Sequence, residues 1–341
     1  MADEPSGARR AAPRPRLTEA TPLWLLLLFG LVSAAFFSVT FVLNFAMSLE
    51  GGHWVWSAVL RYVHLLVLLV AVIAILHGPR ALAGAFDLFR RHWRFWVVAG
   101  SFAVGLFYGP ICFAADHARG WVVAATWQVT VIASPLVLMA MGYRMPKRGL
   151  AFSALVVAGV LLIHGRSWLG GLEDGELAYA VVPLLISAFA YPFGNQLLNG
   201  AKSGSLGFVP HIDSPLLGSA FVCILLLGLG SIPFWGILVA VTRPPAPSEG
   251  QVATTFVVAI VSGLLATSIF YAVRNASSDP FKIAAVDAAQ ALEVLMALLG
   301  EMALLSLGPP GPMALAGLFV LVSGLVAYAL VQTPSGWHQD R

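Results

Sequence analysis

Ten runs of roughly twenty apolar residues, separated by short polar gaps, dominate this 341-residue sequence. They fall at about 23–47, 54–77, 95–115, 121–141, 149–165, 176–198, 214–240, 251–273, 281–306 and 312–331. A bilayer's hydrocarbon core is about 30 Å thick and an α-helix rises about 1.5 Å per residue, so about 20 residues cross it. Charged residues make up only 10% of the chain, against about 25% in a soluble domain. With 59% hydrophobic residues, such a chain cannot cover a compact surface with polar groups and takes lipid as part of its solvent. The expectation is an all-α integral membrane protein with ten transmembrane helices. The prolines at 110, 135, 183, 192 and 233 fit this reading, because membrane helices tolerate internal proline.

Lysine and arginine set the orientation. With the N-terminus inside, the inner segments hold Arg9, Arg10, Arg14, Arg16, Arg80, Arg90, Arg91, Arg94, Arg144, Lys147, Arg148, Lys202 and Arg341. The outer gaps hold Arg119, Arg166 and Arg243. Both termini are therefore expected in the cytoplasm, in a multi-pass protein of the cell (plasma or inner) membrane. Arg9-Arg10 resembles an export signal, but the run from Leu23 to Met47 is longer than the roughly 7–15 residues of a signal core. The basic residues form no aromatic-interleaved stripe, which speaks against nucleic acid as a partner despite a pI near 9.0. Cys112 and Cys223 sit in apolar runs and read as small buried hydrophobes.

The two halves of the sequence echo each other. A shift of 158 residues superposes 113–143 on 271–301, carrying Phe113 onto Tyr271, Ala114 onto Ala272 and SPLVLMAMGY onto LEVLMALLGE. Gly142 then meets Gly300 and Pro135 meets Glu293. TFVLN, ending at Asn44, echoes NQLLN, ending at Asn199. The expected organisation is a cytoplasmic tail (1–21), a first five-helix repeat (22–170), a second (171–331) and a C-terminal tail (332–341). Five is odd, so the halves have opposite orientation. Inverted repeats of this kind are a transporter architecture with the substrate site at their interface.

The stretch FYAVRNASSDPFKIAAVDAAQALEVLMALLGE, a short loop leading into an Ala-rich helix that ends Leu-Gly-Glu, resembles the penultimate-helix region of the drug/metabolite transporter superfamily. GLFVLVSGLVAY (317–328) is similar to the closing Gly-spaced helix of that family, and Arg61 stands where its second helix often has an arginine. The resemblance is to the ten-helix EamA-like type, and within it to the multidrug resistance efflux branch. It implies a carrier of small molecules. The small four-helix exporters of the superfamily couple to protons through an acid in their first helix. This first helix has none, only Asn44 and hydroxyls, so that device does not carry over.

Charge inside a membrane helix costs at least a few kcal/mol and usually faces a cavity or a partner. Eight of the ten runs are free of it. The exceptions are the second, with Arg61 and His64, and the ninth, with Asp287, Glu293 and Glu301, Lys282 lying at its edge. At 1.5 Å per residue Arg61 and Glu293 come to similar depths, about 10 and 12 Å below the outer surface. Arg61 reads either as a structural pair or as an anion clamp. Glu293 reads either as a cavity-facing acid that binds a proton or cation or as the fixed partner of Arg61. His64, three residues on, shares a face with Arg61 or simply packs. Asp287, Gln290 and Glu293, spaced three apart, form one broad polar face. Trp127, with Thr130 and Ser134, marks a comparable stripe in the fourth helix and would suit an organic cation, or else packs. Tyr191, Asn195 and Asn199 line one stripe of the sixth, for substrate contact or helix–helix bonding.

No Walker A sequence is present, and His53, His77, His92, His117 and His211 lack metal-ligand spacing, so neither ATP drive, nor a metal, nor a cofactor is expected. The expected function is a non-enzymatic secondary carrier, driven by a proton or solute gradient, that exports a small organic solute or drug. The expected partners are that small-molecule substrate and the lipid bilayer, with a homodimer left open. An amino-acid or metabolite exporter is the alternative within the superfamily. An intramembrane enzyme or a non-transporting membrane module is the alternative outside it. An enzyme would gather nucleophile, acid and base from several helices, whereas here the charges concentrate on two.

Overall fold

The computed structural model describes residues 21–142, 147–165, 176–274, 276 and 280–331. Apart from Thr21, the expected tails lie outside the described residues, as does the junction at 170/171.

Helix α1 (Leu23–Leu49) starts after the extended Pro22 and stops before Gly51, whose φ of 79° is closed to a continuing helix. Helix α2 (Trp54–His77) is capped by His53, whose Nδ1 accepts from the Val55 amide at 3.3 Å. It ends at Gly78, with φ 84°. Pro79 then opens α3 (Pro79–Arg91), a polar-faced helix within what the sequence suggested was only a gap. Leu82, Leu88 and Phe89 pack it against the core, and Arg91 pairs with Asp87 at 2.6 Å.

Helix α4 (Trp93–Ala115) contains a π turn, Ser101–Gly105, just before Pro110. Helix α5 (Gly120–Ala140) has a break at Gln128–Val129, and α6 spans Lys147–Ile163. Helix α7 (Glu176–Ser203) runs five residues further than the apolar run. Helix α8 (Ala220–Thr242) begins later than expected, because Pro215–Gly218 form a 3₁₀ turn instead. Helix α9 (Glu249–Val273) is capped by Ser248 Oγ on the Gln251 amide at 3.1 Å and contains a π segment, Ala259–Ala266. Helix α10 covers 280–304 as Pro280–Ala289, the 3₁₀ turn Gln290–Leu292 and Glu293–Leu304. Helix α11 is Pro312–Val331.

Eight of these helices are long and apolar enough to cross a membrane, counting the described residues alone. Large apolar side chains face outward on them, Ile75 being 81% and Phe319 74% exposed, as a lipid-bathed surface requires. Inside, α1 lies against α9 and α10, and α7 against α4 and α5. Helix α2 packs on α4, α8 and α9, and α8 also packs on α4. Helices α5 and α10 touch, as do α6 and α11. The tightest seam is α4 on α8. A Cβ on Gly100 would run into the Leu227 carbonyl, and one on Gly230 into the Trp96 carbonyl, so both positions take glycine.

Candidate functional site

The second helix turns Arg61 inward. Its side chain is 7% exposed, and its guanidinium carbon lies 4.0 Å from the centroid of the Tyr108 ring on α4 and 5.5 Å from that of Tyr62. Tyr62 stacks in turn on Trp235 of α8 at 5.7 Å, and the Tyr108 hydroxyl bonds the Asn44 side chain of α1 at 3.0 Å. Arg61 Nε has no hydrogen-bond partner among the described residues. This cation is held by π faces, with an amide dipole behind them. It forms no ion pair with Glu293, because α2 packs on α4, α8 and α9 and directs Arg61 toward Tyr108. His64 does not share its surroundings either. It meets Thr255 Oγ1 at 3.5 Å and stacks edge-on against Phe256, both on α9.

Glu293 opens the last segment of α10, directly after the 3₁₀ turn. A 3₁₀ turn repeats every three residues, so Gln290 and Glu293 are aligned along one face. Gln290 is committed to structure, its Nε2 donating to the Gly30 carbonyl of α1 at 3.0 Å. Glu293 is half-buried and forms no hydrogen bond or ion pair with the described residues. It lies within electrostatic reach of Tyr191 on α7, as do Tyr271 and Tyr62. The side chain of Asp287 lies outside the described residues.

Tyr191 belongs to a triad of rings contributed by three helices. Phe107 of α4 is 4.8 Å from Tyr191 and 5.0 Å from Trp127 of α5, and Trp127 is 5.7 Å from Tyr191. Asn195 stands one turn along from Tyr191 on the same stripe of α7. Tyr191, in the middle of α7, remains 39% exposed, and Tyr271, near the end of α9, 43%. Thus α4, α5, α7, α9 and α10 bring aromatic faces, a phenol and an acid without a partner among the described residues toward a common region. Such a lining can hold a flat or cationic organic molecule by stacking and charge while leaving the carboxylate free to take a proton.

Several partnerships here are absent from the sequence patterns. Glu301 is fully buried and accepts from Arg119 Nε at 2.9 Å and from the Trp121 amide at 2.7 Å. His164 at the end of α6 bonds Thr126 of α5 at 2.8 Å. Asn44 was visible as the lone amide of its helix, but nothing in the sequence singled out Tyr108 as its partner.

Residues 24–334 match the family described as "Putative multidrug resistance efflux transporter" (EmrE). A relative in Bacillus subtilis (strain 168), "Uncharacterized protein YjlA", is 34% identical over 327 residues, covering 89% of this chain and 94% of its own. A relative in Shouchella clausii, "Uncharacterized 42.1 kDa protein in intracellular alkaline protease 3'region", is 33% identical over 255 residues, 72% of this chain and 63% of its own length. The apolar helices, the buried polar groups and a match over nearly the whole sequence make this chain a member of the EmrE-type multidrug resistance efflux transporter family, membrane transporters of small solutes.

Proposed function

We propose that this chain is a secondary carrier that exports a small organic solute or drug across the cell membrane, with Glu293 as the acid that couples export to a proton or cation gradient. The observation that carries this reading is the half-buried carboxyl of Glu293, without a partner among the described residues and within electrostatic reach of Tyr191 in the Phe107–Trp127–Tyr191 triad. An acid already held in an ion pair is not free to exchange ligands; this one is.

In this reading ten helices form two inverted five-helix repeats, with both termini cytoplasmic. The packing supports the repeat. Exchange α1, α2, α4, α5 and α6 for α7, α8, α9, α10 and α11 in order, and several of the major contacts map onto one another, although α2–α4 has no matching α8–α9 contact among the described residues. The α1–α9 pair becomes α7–α4, and α1–α10 becomes α7–α5. The pairs α2–α8, α5–α10 and α6–α11 map onto themselves, as pairs on a two-fold axis do. The π turns agree as well, since Ser101–Gly105 shifted by 158 residues falls on the start of Ala259–Ala266. The basic bias of the inner gaps supports the orientation. The test is flux of a fluorescent organic cation such as ethidium in proteoliposomes, with and without an imposed pH gradient. Gradient-dependent movement is expected, and its absence across a panel of organic cations and neutral drugs would remove the proposal.

A further inference from the structure

A cavity opens at the end of the bundle where α3 meets α4. It measures about 760 Å³, within the range of small-molecule sites. Its floor is apolar, with Phe102 of α4 packed edge-on against Phe193 of α7 at 4.8 Å. Its rim is cationic and aromatic. Arg94 stands beside Trp93, its guanidinium carbon 5.5 Å from a Trp93 ring centroid. Trp93 is 52% and Phe208, across the opening, 68% exposed. Arg91, also at the rim, is engaged by Asp87, whereas Arg94 has no carboxylate partner among the described residues. The cavity sits at the first turn of a spanning helix, which is the depth of lipid headgroups, and amphipathic α3 with Arg80 and Arg90 adjoins it.

We propose that this cavity is a binding site for one anionic phospholipid, its phosphate held by Arg94 and its acyl chain lying along Val98, Phe102 and Phe193. The chemistry favours that occupant. A guanidinium offers a planar pair of donors to phosphate, tryptophan and phenylalanine suit the interface, and the apolar floor suits a hydrocarbon chain. The charges at the rim are of one sign apart from Asp87, which Arg91 already neutralises, so a cationic occupant would be repelled. Its lining includes none of Phe107, Trp127, Tyr191 and Glu293, and the proposal does not depend on their role.

The test uses the full chain in mild detergent, with phosphatidylglycerol and phosphatidylcholine added in equal amounts and bound lipid counted by native mass spectrometry. The wild type is expected to retain phosphatidylglycerol preferentially. Arg94→Gln should lower that preference about fivefold, while Arg80→Gln, on the same face but outside the cavity, should leave it unchanged. Val98→Trp, which obstructs the apolar floor beside Phe102 and keeps every arginine, should lose the preference as well, so the test survives if one variant fails to fold. Equal retention of both lipids by the wild type overturns the proposal. So does an equal loss in Arg80→Gln and Arg94→Gln, which would signify surface attraction alone. Competitive displacement of phosphatidylglycerol by tetraphenylphosphonium would also overturn it, making the cavity a vestibule for substrate.

Discussion

Arg119 and Glu301, 182 residues apart in the chain, close one end of the seam between α5 and α10 through a 2.9 Å ion pair. The same carboxylate accepts the Trp121 amide in the first turn of α5, where the helix dipole favours negative charge. Arg119 also donates to the Gly308 carbonyl at 3.0 Å, so it reaches past the end of α10 into the following loop. Of the two acids described on α10, the one at its end is fully engaged and the one nearer its middle is not.

Removing the engaged acid should therefore be felt in stability. Glu301→Ala leaves the Trp121 amide and Arg119 without their acceptor at a buried site and is expected to cost about 3 kcal/mol. Glu301→Gln keeps an oxygen for the amide and should cost about 1 kcal/mol. Thermal unfolding of the detergent-solubilised variants distinguishes the two. Equal, small effects would mean the pair does not hold the seam.

At Glu293 the expectation reverses. Glu293→Gln removes no bond to the described residues, so insertion and melting temperature should change little, while proton-driven flux is lost. Counterflow of unlabelled against labelled substrate, which needs no net proton movement, should survive better than uphill transport. Unimpaired uphill transport by the variant would exclude the coupling role.

The aromatic triad gives a graded series. Trp127→Phe keeps a π face toward Phe107 and Tyr191, whereas Trp127→Ala deletes it. A partly desolvated cation–π contact contributes about 1–2 kcal/mol, so Trp127→Ala should weaken binding of an organic cation roughly tenfold and Trp127→Phe much less. Titration of a fluorescent cation into the purified protein reads both. Equal affinities in all three proteins would place the ligand elsewhere.

Glycine at the α4–α8 seam is a matter of room. Gly100→Ala and Gly230→Ala each drive a methyl into the facing helix's backbone, and each should destabilise by about 1–3 kcal/mol or prevent assembly. Gly236→Ala, on the same helix α8 but with open space around it, serves as the control and should be nearly neutral. Retained-fraction measurements after heating would show whether that ranking holds.

Helix positions were legible in the sequence because lipid demands length and low charge, and both are visible in a row of letters. The partner of each polar group was not, because it depends on how helices rotate and slide. Arg61 and Glu293 have similar estimated depths, yet α2 directs its arginine to Tyr108. Gln290 reads as part of a polar face, yet the close approach of α1 spends it on the Gly30 carbonyl. Helix α3 went unread because its 13 residues, bounded by arginines, are too few to cross a bilayer. The Trp127–Tyr191 association followed only in part: each stripe was visible, but the third ring, Phe107, carried no polar mark.

The major partners of most helices lie on the far side of the chain's midpoint, and this bears on how the protein is made. Helix α1 leaves the ribosome long before α9 and α10, and α4 well before α7 and α8. Each must stand in lipid with its eventual contact surface uncovered, which a hydrophobic span does at little cost and a charged one, such as α2 with Arg61, only at a penalty of a few kcal/mol. Apolar interiors are thus a condition of waiting as well as of residence. Glu293 enters near the end of synthesis, when Phe107, Trp127 and Tyr191 have already been delivered to the membrane. This acid arrives after the rings near which it will stand.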